Sequence, residues 1–169
     1  MILMGECILL VEKIANLEVL IATPNLQVAQ GIQNMLVQHK VLGSKTAANS
    51  REAVQAMANS TRFNLFFVSQ DLPDQGGIDF CRFIRLTNTG MAKADLILHI
   101  SNPTKAMVLE ARSAGINKIM VGNLSGKAVF DQIKDVLKNR RPFIEADTYC
   151  GPDRRRANAP LFTGVDRRK

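Results

Sequence analysis

Residues Phe63 to Arg85 read FNLFFVSQDLPDQGGIDFCRFIR, and the order of residue types in that stretch decides the fold class. Phe63 to Ser69 is a compact apolar and aromatic run, the pattern of a strand covered on both faces. Asp71, Pro73 and the pair Gly76-Gly77 then interrupt it with loop chemistry, since Pro fixes φ and Gly reaches conformations closed to other residues. From Ile78 to Arg85 the pattern becomes that of an amphipathic helix. Strand, short loop and helix make one βα unit.

The unit recurs on both sides. Val19 to Thr23 (VLIAT) reads as a buried strand, and Asn25 to His39 follows with Val28, Ile32, Met35 and Leu36 on one helical face. Ser44 to Ala48 is a weaker strand, after which Ser50 is placed to cap a helix to about Asn59. Leu96 to Ser101 (LILHIS) is the fourth strand, with a helix from about Thr104 to Ala114. Ile119 to Gly122 is a short fifth strand, and Ser125 caps a helix to about Arg140. Five such units predict an α/β fold: a five-stranded parallel sheet with helices on both faces. The body is 17–140. Residues 1–16 form an N-terminal extension to which the sequence assigns no role. Past Arg141-Pro142 the helical pattern stops, and Gly151, Pro152, Pro160 and Gly164 break the remainder. Residues 141–169 are expected to be a tail without structure until a ligand orders it.

Composition narrows the function. The 169 residues are 46% hydrophobic, enough to build one core. Cys7, Cys81 and Cys150 are odd in number and lack metal-ligand spacing, so they read as thiols of a reducing compartment. His99 lies inside an apolar run and is expected to be packed, not catalytic. The N-terminus has no basic region and cleavage site of a signal peptide, and no stretch approaches the roughly 18 apolar residues of a membrane span. The expectation is a cytoplasmic protein without membrane insertion. The net charge is +7, and six of the twelve arginines lie at or beyond Arg141. An anionic partner at that end is implied.

Those arginines are patterned. Tyr149 to Arg156 reads YCGPDRRR and Phe162 to Lys169 reads FTGVDRRK, offset by 13 residues (162 − 149 and 166 − 153). Each copy holds an aromatic residue, Gly, Asp and an Arg pair. An Arg fork meets the O6 and N7 acceptors of guanine, a carboxylate accepts from its N–H edge, and a further guanidinium grips phosphate. An aromatic or guanidinium plane stacks on the base. A basic tail that merely bound polyanions would gain nothing from an Asp before each Arg pair, because the acid opposes phosphate. The duplicated motif therefore suits a two-fold symmetric guanine dinucleotide such as cyclic di-GMP.

The body resembles the CheY-like receiver domain of bacterial response regulators, a flavodoxin-like fold, over roughly residues 18–140. The resemblance is clearest in Phe63–Arg85 and also rests on ANSREAVQAM (Ala48 to Met57) and ARSAGINKIMVG (Ala111 to Gly122). The family's phosphoacceptor Asp is replaced by Ser69, its acidic pair by Thr23-Pro24-Asn25, its Lys-Pro pair by Gly122-Asn123 and its switch aromatic by Ile119. Only the fourth-strand hydroxyl remains, as Ser101. Loss of aspartyl phosphorylation is expected, with neither enzyme activity nor metal site. A degenerate receiver followed by this tail resembles the CheY-like cyclic-di-GMP effectors, the Cle proteins. That resemblance implies one half-site of Tyr149, Gly151, Pro152, Asp153, Arg154, Arg155 and Arg156, and another of Phe162, Gly164, Asp166, Arg167 and Arg168. It also implies a ligand bound as an intercalated dimer and the flagellar motor switch protein as partner, with recruitment to the motor. Two alternatives stand beside it: a phosphorelay-type receiver, and an adaptor whose basic tail binds nucleic acid.

Overall fold

The computed structural model describes residues 10–154 apart from 42, 61, 123, 147 and 148. The elements are β1 (Glu18–Ala22), α1 (Leu26–Gln38), β2 (Gly43–Ala47), α2 (Ser50–Asn59), β3 (Leu65–Ser69), α3 (Gly77–Leu86), β4 (Asp95–Ile100), α4 (Lys105–Ser113), β5 (Lys118–Val121), α5 (Gly126–Lys138), β6 (Phe143–Ala146) and β7 (Tyr149–Pro152). The first five strands form one parallel sheet in the order β2-β1-β3-β4-β5, the flavodoxin-like order.

Every residue of β3 and β4 is buried, which is why these strands read as unbroken apolar runs. Successive side chains nevertheless go to opposite faces. Leu20, Phe66, Val68, Leu96 and Leu98 pack with α2, α3 and α4. Val19, Ile21, Leu65, Phe67 and Ile97 pack with α1 and α5. Each such fully buried side chain contributes roughly 1.5–3 kcal/mol relative to exposure. Residues 10–15 are helical, and Leu10 and Ile14 lie against the second of these layers, so the end of the N-terminal extension is part of the packing.

One cap differs from expectation. The α2 N-cap is Asn49, whose Oδ1 accepts from Glu52 N at 2.8 Å while Ala48 N donates back to Glu52 Oε2 at 2.8 Å. The pair satisfies one orphan donor of the first turn, Glu52 N, and the N–H of Ala48 just before the cap. Ser50 is instead buried as the first helical residue, and its hydroxyl donates to Pro73 O. Ser125 does cap α5, accepting from Ala128 N.

The larger difference lies past the body. Phe143–Ala146 and Tyr149–Pro152 pair as an antiparallel ladder, β6-β7, and Asp153 N extends it to Pro142 O at 2.8 Å. Phe143–Ala146 and Tyr149–Pro152, expected to lack structure until a ligand orders them, are therefore paired without one. Residues 155–169 lie outside the described residues.

Candidate functional site

The hairpin lies against the body because two backbones meet without side chains. A Cβ on Gly151 would sit 2.6 Å from Gly115 Cα and 2.7 Å from the Tyr149 hydroxyl oxygen. Gly115 has φ +75°, a left-handed conformation that glycine adopts freely, and a Cβ there would strike Cys150 O. Arg85 fixes the same junction from below. It is 4% exposed and donates Nε and Nη2 to Gly115 O (3.0 and 2.8 Å), Nη1 to Ala92 O and Ala94 O (2.6 and 2.7 Å), and Nη2 to Asn117 Oδ1 (2.8 Å). Its guanidinium lies 5.2 Å from the Phe143 ring centroid of β6. Burial lowers the Arg85 pKa to about 10, so it remains a cation at neutral pH, held by carbonyl dipoles. Asn117 continues the network to the buried Asp95, which takes Arg140 Nη2 at 2.8 Å. Burial pushes the Asp95 carboxyl above its ordinary range, against the opposing pull of Arg140.

On this base the first motif copy is folded, not extended. The Tyr149 hydroxyl donates to Pro152 O at 2.7 Å and closes the strand end on itself. Arg154 lies flat over the Tyr149 ring, with Cζ 3.6 Å from the centroid, and its Nη2 donates to Ser113 O at the end of α4. Gly151 and Pro152 are buried beneath. Tyr149, Pro152, Asp153 and Arg154 thus form one wall of a cleft of about 370 Å³, and Arg112, Lys118, Ile119 and Arg141 form much of the rest. That volume is within the range of small-ligand sites. The cleft gathers four cationic side chains and the Asp153 carboxylate, a set suited to a phosphorylated base.

The structure brings together Tyr149, Gly151, Pro152, Asp153 and Arg154 of the expected first half-site. Arg155, Arg156, Phe162, Gly164, Asp166, Arg167 and Arg168 lie outside the described residues. The sequence singled out residues of the tail only; Arg112 and Lys118 of the body, which line the same cleft, carry no local motif that marks them.

A second location is the one where the sequence resemblance puts a receiver's phosphoacceptor. Ser69 ends β3 and is 5% exposed, and Ser101 follows β4 on the surface. Thr23 follows β1 and is buried, with its Oγ1 accepting from Asn25 N at 3.3 Å. Asn25 caps α1 through Oδ1 and Val28 N at 3.1 Å. His99 Nε2 donates to Gly122 O at 2.8 Å, a packed histidine with a structural bond. Among the described residues no group of three or more His, Cys, Asp or Glu side chains could hold a metal ion. Burial pushes the Cys81 thiol up to about 12, which leaves it without thiolate character.

With this geometry in place, solved structures supply the comparison. The chain is similar to the Vibrio cholerae chemotaxis protein CheY4, at 17% identity and TM-score 0.64 over 71% of this chain and 98% of that one. It is also similar to a two-component response regulator from Clostridium difficile, at 17% identity and TM-score 0.63 over 75% of this chain and 99% of that one. The fold is that of a CheY-like receiver domain. A probable two-component response regulator/GGDEF domain protein gives TM-score 0.64 at 15% identity over 74% of this chain, which spans 50% of that longer chain. No family model and no curated protein matches the sequence. No helix among the described residues is long and apolar enough to cross a membrane.

Proposed function

We propose that the chain is a non-enzymatic effector that binds cyclic di-GMP and relays it to a protein partner. The observation that carries the reading is the seating of Arg154 on Tyr149 beside Asp153, at the wall of a cleft rich in cations. Stacking sets the guanidinium plane, and a fixed fork loses less side-chain entropy when it meets the O6 and N7 edge of guanine. Asp153 supplies the acceptor for the opposite edge. Arg155 and Arg156 complete this half-site, and Phe162, Gly164, Asp166, Arg167 and Arg168 repeat its chemistry for the second guanine of a symmetric ligand. The resemblance to the Cle proteins extends the proposal to an intercalated ligand dimer and to the flagellar motor switch as partner. Phosphoryl acceptance is disfavoured, because Ser69 offers no carboxylate to form an acyl phosphate and Thr23-Pro24-Asn25 offers none for magnesium.

Calorimetric titration of the intact chain tests this. Saturable binding of cyclic di-GMP is expected, unchanged by excess cyclic di-AMP or RNA. Arg154→Ala should weaken it by about 5- to 150-fold, the loss of one good bidentate contact of ~1–3 kcal/mol. Absence of binding, or displacement by RNA at equal charge, would leave a basic arm for nucleic acid. A pull-down of the motor switch protein with and without the dinucleotide tests the partner; docking indifferent to the ligand removes the relay.

A further inference from the structure

We infer that the receiver body supplies part of the ligand site, with Arg112 of α4 and Arg141 at the entry to the hairpin gripping a phosphodiester of the dinucleotide whose base Asp153 and Arg154 read. This rests on the cyclic-di-GMP reading above and assigns it residues outside the duplicated motif. The neighbouring cations are already engaged. Arg82 pairs with Asp79 and Glu110, Arg85 is spent on carbonyls, Arg140 holds Asp95, and Lys118 holds Asp135 at 2.7 Å. Arg112 and Arg141 are exposed, line the same cleft as Asp153 and Arg154, and have no side-chain hydrogen bond or ion pair among the described residues. Two unengaged guanidinium groups beside Arg154, against the one carboxylate of Asp153, leave the cleft with an excess of positive charge that favours an anion.

At about 370 Å³ the cleft has room for one nucleotide unit. A guanine held at Asp153 and Arg154 then directs its phosphate toward Arg112 of α4, over Ile119 of β5.

Arg112→Gln and Arg141→Gln, singly and combined, should be titrated with cyclic di-GMP as full-length chains, with Arg112→Lys as the conservative variant. Each Gln variant should bind about tenfold more weakly, the double variant more weakly again, and Arg112→Lys between Gln and intact. Melting temperatures should stay unchanged, since neither side chain has a partner to lose. Gln variants that bind as tightly as the intact chain, while Arg154→Ala does not, would overturn the inference and leave the effector reading standing. An intact chain that binds no cyclic di-GMP would remove both. Weakened binding that tracks a lowered melting temperature, with no recovery in Arg112→Lys, would also overturn it, because the loss would then be structural.

Discussion

Asp153 separates the two readings of the basic end by the sign of one measurement. It sits in a cleft with Arg112, Arg141, Arg154 and Lys118, so its removal raises the local positive potential. A site that only attracts phosphate should then bind more tightly. A site that reads guanine loses the acceptor for N–H donors, and an unsatisfied buried donor costs about 1–3 kcal/mol. Asp153→Ala is therefore expected to weaken cyclic di-GMP binding by at least fivefold in calorimetry while tightening a non-specific RNA contact. A gain in affinity for the dinucleotide would reject guanine recognition at this residue. Asp153 was legible in the sequence because it recurs at Asp166. The Tyr149–Arg154 stack was not, because the same pair could lie extended; it is imposed by the Gly151–Gly115 contact and the Tyr149 bond to Pro152 O.

The hairpin β6-β7 shows where local reading stops. Five βα units were legible because a doubly covered sheet demands apolar strands and amphipathic helices, and those periods differ. FIEA and YCGP are short, half polar and broken by Gly and Pro, so their pairing is not written in period or length. It depends on Arg85, which in sequence looks like the polar end of an amphipathic helix. Arg85 reaches the carbonyls of Ala92, Ala94 and Gly115 at once, and Phe143 covers it. Arg85→Met keeps much of the volume but leaves three carbonyls and Asn117 Oδ1 short of a donor. A loss of about 3–5 kcal/mol in urea denaturation is expected, together with faster amide exchange in 143–152. Unchanged exchange in the hairpin would mean that Arg85 serves the body alone. Cleavage of the exposed ion pair Lys93–Glu145, by contrast, should cost little, since both side chains are more than half exposed.

At the scale of the whole molecule the fold is that of a receiver domain, and the end of β3, where the sequence resemblance puts a phosphoacceptor, carries Ser69. Ser69 lies at the buried end of β3, and the loop after β1 uses Thr23 and Asn25 for local bonds that brace α1. By the resemblance, a magnesium cage would need carboxylates at those positions, so restoring one acid is not expected to restore the reaction. Acetyl phosphate with magnesium is expected to label neither the intact chain nor Ser69→Asp, by intact-mass measurement. Ser69→Ala should cost no more than about 1 kcal/mol of stability and leave the cyclic di-GMP affinity unchanged, because Ser69 ends β3 whereas the cleft lies at the beginning of the parallel strand β5, two places along the sheet. Labelling of Ser69→Asp would show that the surrounding groups still assemble a metal site. Phosphoryl transfer to the intact chain would return the molecule to the phosphorelay, with the arginine motif as a second input beside it.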